Sequence, residues 1–348
     1  MIQTLEIRNF KSIRHLRLDC RRVNVFIGEP NTGKSNLLEA IGLFSLPYSY
    51  AANVRDFVRM EKVNQLFYEQ VISVPVEIHA TWNGSRYSLN IAFDETHYVL
   101  ILQGPAQEMV FLASLDEDGK IAIRGEKRFR KTDRKQGPPV KFYRYRLTPG
   151  MAFQRRAETF LLPPWGENLP HVLSVHRALR EWCGDLFHSF GLRLVLLPSS
   201  DQLQLQGEHE RETFIAPFAL PYTLASDTLQ RLVFFFVAME SNRDSALVLE
   251  EPEVHAFPLY TKYLAERIGL DESNQYFLST HNPHFLIPLA EKCLHRDLAV
   301  FVTYVREQQT RLHLLTDEEL TELLDLGDSL FYNLDLLIEL AEESQLTG

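Results

Sequence analysis

This sequence predicts an α/β fold with a mixed central sheet, an antiparallel flap and a helical lobe. Three observations carry the prediction: a fully apolar strand that runs through a glycine-containing loop into a helical pattern near the N-terminus, an alternating apolar and polar run centred on Asn83-Gly84, and a last third in which short apolar strands alternate with helical patterns. The 348 residues are 45% hydrophobic, with 36 Lys and Arg against 46 Asp and Glu, which suits a globular chain of two lobes and excludes disordered and collagen-like classes. The longest unbroken apolar run, Leu232 to Met239, is far shorter than the roughly 20 residues that span a bilayer. The N-terminus alternates like a strand and lacks a charged-then-apolar leader, so a cytoplasmic protein without membrane contact is expected. Cys20, Cys183 and Cys293 lie too far apart for a local zinc knuckle or a dense disulfide framework and are expected to be reduced.

Taken in order, Ile2 to Ile7, His15 to Leu18 and Val23 to Ile27 read as strands, the third one buried. After Gly28 comes a loop, and then Leu37, Leu38, Ile41 and Leu43 fall at helical spacing within a helix from Lys34 to Phe44. From Pro75 to Leu102 the alternation predicts a hairpin turning at Asn83-Gly84 and one further strand, which together form the flap. The Pro-Pro pairs at 138/139 and 163/164, with a basic stretch beside them, predict a loop-rich insertion outside the central sheet, followed by helix over about 169–190. A helix from Leu229 to Met239, a strand from Ala246 to Leu249, a helix from Phe257 to Ile268 and a strand from Tyr276 to Leu278 predict a parallel sheet. Val300 to Tyr304 and Leu312 to Leu315 add short strands, and Leu330, Leu334, Leu337, Ile338 and Ala341 place one stripe on a C-terminal helix. Three segments are expected: 1–110 with the phosphate loop and flap, 111–223 with the insertion and helical lobe, and 224–348 as a C-terminal lobe.

Gly28-Glu29-Pro30-Asn31-Thr32-Gly33-Lys34-Ser35 fits the pattern G-x-x-x-x-G-K-S between a buried strand and a helix, the context that gives this motif its meaning. Backbone N–H groups wrap a phosphate there, Lys34 supplies charge to the β and γ phosphates, and Ser35 is placed to ligate Mg²⁺ at the positive end of the helix. The segment through Asn36 is therefore the expected nucleotide-binding loop. Such a loop needs acidic partners at the end of a neighbouring apolar strand, and Ala246 to Leu249 ends in Glu250-Glu251. Glu250 is assigned to Mg²⁺, directly or through water, and Glu251 to orienting and deprotonating the attacking water. The next strand ends in Ser279-Thr280-His281-Asn282-Pro283, where His281 either touches the γ-phosphate or sits in an N-cap loop before a helix.

In this order, the IRNFKSI strand, the GEPNTGKSN loop, the SDTLQR segment, the LEEPEVH strand end and STHNP resemble the ABC-type ATPase heads of the SMC and RecF group. Within that group the chain looks most like compact bacterial ATPases related to the OLD (overcoming lysogenization defect) proteins and to phage-defence ATPase subunits. The resemblance implies an SMC-head type of P-loop fold, ATP with Mg²⁺, and a homodimer in which ATP is sandwiched between the phosphate loop of one subunit and a signature segment of the other. The signature candidate is Leu224 to Arg231, with Ser226 acting in trans. It departs from the family's Ser-x-Gly because Asp227 follows Ser226, and Ser226, Asp227 and Thr228 also suit capping of the helix behind them. Glu250 stands where most members place Asp. Gln65 and Gln70 are equal candidates for the family's Q-loop glutamine, Arg8 to Lys11 and Asn31 match positions near the nucleotide, and Glu253 with His255 falls where relatives contact the other subunit.

No long coiled coil separates the phosphate loop from the signature, which argues against an arm-like tether. The residues after His281 are too few for the nuclease domain of OLD proteins, and no N-K-x-D motif points to guanine. Residues 124–146 carry ten Lys or Arg against Glu126 and Asp133, a net +8 in a chain of net −10. With Phe129, Phe142, Tyr143 and Tyr145 interleaved, this stretch suits a nucleic-acid backbone with base stacking, a solvated hairpin or a partner-docking arm. Two functions stay open: an ATPase dimer whose closure is read by DNA or an effector, in repair or antiviral defence, and an ATP-loaded scaffold that holds a nuclease or toxin with little hydrolysis. A small-molecule kinase is the weaker third reading.

Overall fold

The computed structural model describes residues 1–123, 137–146, 152–197, 200–211, 214–332, 334 and 338. Most of the basic stretch, Phe129 included, and Leu337 and Ala341 of the C-terminal stripe lie outside the described residues. The chain forms two compact units interleaved in sequence: Met1–Phe142 with Asp244–Glu253 and Thr261–Gly348, and Tyr143–Arg243 with Val254–Tyr260.

The first unit begins with β1 (Ile2–Phe10), β2 (Ile13–Asp19), β3 (Val23–Ile27) and α1 (Lys34–Gly42). It continues through β4 (Val76–Trp82), β5 (Ser85–Asp94), β6 (His97–Gln103), β7 (Met109–Leu115), β8 (Ile121–Ile123) and β9 (Val140–Tyr143). A seven-stranded antiparallel sheet in the order β2-β1-β4-β5-β6-β7-β8 makes the expected flap. Asn83 and Gly84 both have positive φ, 47° and 79°, as the primed two-residue turn between β4 and β5 requires.

In the second unit lie α2 (Leu169–Val175), α3 (Arg177–His188), β10 (Arg193–Leu197), β11 (Gln202–Arg211), β12 (Phe214–Pro221) and α4 (Asp227–Glu240). The helix expected over 169–190 is two helices, because His176 takes an extended backbone (φ −102°, ψ 98°) between them. The antiparallel sheet β10-β11-β12 was not expected from the sequence. Helix α4 is buried from Leu232 through Met239, with Trp182 stacked on Phe236 at 3.7 Å.

The chain then adds β13 (Ala246–Glu250), α5 (Pro258–Leu270), β14 (Gln275–Ser279), α6 (Pro283–Lys292), β15 (Leu298–Arg306), β16 (Gln309–Leu314) and α7 (Asp317–Asp325). A six-stranded sheet runs β16-β15-β3-β14-β13-β9, parallel from β15 to β13 and antiparallel between β15 and β16. This is the expected mixed sheet with one correction. The segment after Pro138-Pro139 is no excursion from it: Val140–Tyr143 forms the edge strand beside β13, and Ala246 N–H donates to Pro139 O at 2.9 Å. Leu37, Leu38 and Ile41 of α1 are fully buried where the helix packs on β1, β13 and β14, each contributing about 1.5–3 kcal/mol of transfer free energy. Leu330 lies in a short 3₁₀ turn, Gly327–Tyr332. Among the described residues no helix is long and apolar enough to cross a membrane.

Candidate nucleotide site

Register sets the site. Phe26 of β3 and Glu250 of β13 both pair with Ser279 of β14, so the carboxyl ends of three adjacent parallel strands share one edge of the sheet. The phosphate loop, the Glu250-Glu251 pair and the Ser279-Thr280-His281 loop therefore leave the sheet side by side, at the end where open α/β sheets bind ligands.

Gly28 (φ 146°) and Gly33 (φ 100°) adopt backbone conformations that disfavour side chains, and their neighbours close the space as well. A Cβ on Gly28 would lie 2.4 Å from the Thr303 carbonyl of β15, and one on Gly33 would lie 2.1 Å from Thr310 Oγ1 of β16. Glycine is demanded here by the strands behind the loop as much as by a phosphate in front of it. Thr32 Oγ1 bonds Thr303 Oγ1 at 2.7 Å and donates to Glu29 O at 2.8 Å, while Asn36 donates its amide to Ser12 Oγ at 2.7 Å. Both residues, expected among the nucleotide contacts, thus brace the loop through their side chains. Glu29, Pro30 and Asn31 are exposed at its crest.

Lys34 Nζ donates to Gly28 O at 2.6 Å and Glu29 O at 2.7 Å, so its ammonium lies over the loop. Burial lowers its pKa, and the carboxylates of Glu251 and Glu29 oppose the shift. Gly33 caps α1 without a side-chain acceptor, which leaves the first-turn N–H groups directed at an anion.

Facing the loop, one cation links the two residues assigned to the metal. Arg59 donates Nη1 to Ser35 Oγ at 3.0 Å and pairs Nη2 with Glu250 Oε1 at 2.8 Å. A hydroxyl and a carboxylate that converge on one guanidinium also fit a single hard cation, so these donors suit Mg²⁺. Nothing in the sequence marked Arg59; it belongs to no motif and no periodic face. Glu251 follows with φ 43°, a strained position for a non-glycine residue of the kind that gathers at functional sites. Its Oε1 is 3.2 Å from His281 Nδ1, and both side chains reach solvent. His281 also sits in the loop before α6, as the alternative had it, where Asn282 is the cap and accepts from His284 N–H at 2.9 Å.

Behind this pair Glu253 is buried. Thr280 Oγ1 donates to its Oε1 at 2.5 Å and also accepts from Asn282 N–H at 3.1 Å, tying the loop after β13 to the loop after β14. Glu253 Oε2 has no hydrogen-bond partner, and burial pushes the carboxyl up to about 7, against the Thr280 bond that lowers it. Since its ordinary value is 4.5, the folded protein binds a proton that the unfolded chain lacks between those values, and stability falls as pH rises from 4.5 to 7. Above pH 7 the charged carboxylate costs about 3 kcal/mol. Glu253→Gln is expected to flatten that slope and to raise the melting temperature at pH 8; an unchanged profile in calorimetric scans from pH 5 to 8 would show that Glu253 is not the titrating group.

Neither glutamine proposed for the Q-loop points to this site. Gln65 Oε1 accepts from the backbone N–H of Glu61 and Lys62, and Gln70 Oε1 accepts from Asn64 Nδ2 at 3.0 Å. Lys11, matched to a position near the nucleotide, pairs instead with buried Glu39 at 2.5 Å.

In the second unit Ser226 precedes α4 and makes no side-chain cap hydrogen bond. Asp227 pairs with Arg231 at 2.9 Å, which offsets the charge that Asp227 brings to the helix start, and Thr228 Oγ1 donates to His255 O at 3.0 Å. Capping by these three side chains, left open by the sequence, is thus not what they do. The basic stretch also needs correction where it is described. Lys141, Phe142 and Tyr143 are buried in β9 and offer nothing to a nucleic acid; burial lowers Lys141 to about 7. Tyr145 lies under Arg231, 4.4 Å from ring centre to guanidinium.

Comparison with known proteins bears on the fold and on the N-terminal third of the chain. Residues 1–117 match the family described as the AAA ATPase domain. The DNA replication and repair protein RecF of Listeria welshimeri is 35% identical over 95 residues, which cover 26% of this chain and 26% of that protein. RecF of Moorella thermoacetica is 30% identical over 115 residues, covering 33% and 29%. An ATP/GTP phosphatase of Helicobacter pylori is 31% identical over 104 residues, covering 27% and 28%. The chain spans about a quarter of the length of the curated relatives it matches. In fold it resembles an Smc head bound to the C-terminal winged-helix domain of ScpA, with a TM-score of 0.51 at 15% identity over 92% of this chain and 99% of that one. The Smc head of Pyrococcus furiosus with an extended coiled coil gives 0.50 at 13% identity, over 93% and 98%. No observation places the chain nearer to the OLD proteins than to these.

Proposed function

Taking this chain as an ATPase head of the SMC/RecF type, by its fold and its N-terminal domain, we propose that two copies close around two ATP molecules and hydrolyse them, with DNA as the partner that reads closure. One observation carries the proposal: the phosphate loop, Glu250, Glu251 and His281 meet at the carboxyl ends of three adjacent parallel strands of one mixed sheet.

Lys34 and the N–H groups at the start of α1 would hold the β and γ phosphates, and Ser35 with Glu250 would hold Mg²⁺, which would supply charge neutralisation on the phosphates. Glu251, with its strained backbone and a carboxylate that reaches solvent beside His281, orients the attacking water and takes its proton. His281, hydrogen-bonded to Glu251, fixes that carboxylate and reaches the γ-phosphate. Ser226 of the second copy closes the site with the N-terminus of its α4. DNA as partner is supported by the RecF relatives, whose name is that of a replication and repair protein. The antiviral role suggested by the OLD resemblance has no observation in its favour.

A second reading has one observation behind it. Asp227, not glycine, follows Ser226, so closure without rapid turnover, as in an ATP-loaded scaffold for an effector protein, is the alternative. Steady-state ATP hydrolysis per subunit, measured against protein concentration with Glu251→Gln as blank, separates the two. Specific activity that rises with concentration supports the hydrolysing dimer. Tight ATP binding with no turnover above the blank at any concentration moves the conclusion to the scaffold, and turnover independent of concentration removes the shared site.

A further inference from the structure

Arg59 is held by its backbone and extended by its side chain. Its N–H donates to Glu39 Oε1 at 3.0 Å, its carbonyl accepts from Lys11 Nζ at 2.7 Å, and Lys11 Nζ closes the ring on Glu39 Oε2 at 2.5 Å. Glu39 is fully buried on α1, the helix that carries Lys34 and Ser35, and Phe57 and Val58 just before Arg59 are fully buried as well. The Arg59 side chain, in contrast, is 61% exposed while its guanidinium spans Ser35 and Glu250. A buried carboxylate on an otherwise apolar helix face is costly unless its partners satisfy it, and those seen here are the two ends of one clamp around residue 59.

We propose that the Lys11–Glu39 pair is a positioning clamp for Arg59, and that Arg59 is a built-in cation which fills the metal position until metal and nucleotide displace it. This rests on the reading of Ser35 and Glu250 as metal ligands. The planar guanidinium matches one hydroxyl and one carboxylate at once, and it neutralises a Glu250 carboxyl that is only 8% exposed. Entry of a divalent ion between Ser35 and Glu250 breaks both contacts. The clamp keeps the residue 59 backbone in place meanwhile, so the arginine stays tethered beside the site and returns when the metal leaves. Apparent metal affinity is then set partly by Arg59 and, through it, by Lys11.

The test is Mn²⁺ binding followed by electron paramagnetic resonance with saturating ADP, which has no γ-phosphate for an arginine to hold. Arg59→Ala is expected to lower the half-saturating Mn²⁺ roughly tenfold, the loss of two charge-assisted contacts that the ion otherwise has to break. Lys11→Met is expected to lower it in the same direction, and the double variant no further than Arg59→Ala alone. Should Lys11→Met fail to fold, Lys11→Gln takes its place. An unchanged or raised half-saturation in Arg59→Ala overturns the proposal, and full additivity in the double variant overturns the clamp. Ser35→Ala and Glu250→Gln are the control for the underlying reading: if neither weakens Mn²⁺ binding, the metal site is wrong, whatever Arg59 does.

Discussion

Glu251→Gln is expected to cut ATP turnover by about 10²–10⁴-fold while ATP affinity stays within about threefold of wild type. Glutamine keeps the shape of the side chain and its hydrogen bond to His281, now 3.2 Å away, but cannot accept the proton of the attacking water. It also removes one negative charge from a site that already holds Glu250 and has to receive a polyanion, so binding does not suffer. The left-handed backbone at residue 251 is unchanged by the substitution, and the half-buried side chain keeps its volume, so its packing is kept as well. Phosphate release at saturating ATP and equilibrium binding of a fluorescent ATP analogue measure the two quantities. Turnover within tenfold of wild type would transfer the base role to another group, and a parallel loss of affinity would make Glu251 a binding residue.

The parts of this site that were legible in the sequence share a cause. Gly28 to Ser35, Glu250-Glu251 and His281 sit where apolar strands stop, and a strand buried on both faces announces its end sharply because the first polar residue marks the sheet edge. Arg59 announces nothing, since its position depends on a ring of contacts to Lys11 and Glu39 that are 48 and 20 residues away. The same holds for β9. Its four residues include a lysine and follow a proline pair, so composition argues for a surface loop, yet pairing beside β13 buries all four. The sheet β10-β11-β12 was hidden because β11 has only Leu203 and Leu205 as apolar residues, and its strand character comes from antiparallel partners on both sides. A missed signal that was available is the Thr316-x-x-Glu319 capping box, which starts α7.

The second large effect tests the two-chain site itself. Lys34→Ala is expected to be inactive because the phosphate loop loses its one cation, and Ser226→Arg because a long cationic side chain blocks the start of α4. Both changes are tolerable to the fold: Lys34 contacts loop carbonyls alone among its hydrogen bonds described here, and Ser226 is exposed with no cap bond to lose. Mixed in equal amounts, the two variants give heterodimers in half of all pairings. Each heterodimer has one site with both lesions and one with neither, so activity is expected to rise from background to about a quarter of wild type. Asp227 does not spoil the prediction, because its carboxylate is already paired with Arg231 within the same helix. If the mixture stays at background over a concentration range in which each folded variant dimerises, the phosphate loop and Ser226 do not serve one ATP from two chains. Complementation that also needs DNA would instead identify DNA as the element that brings the two heads together.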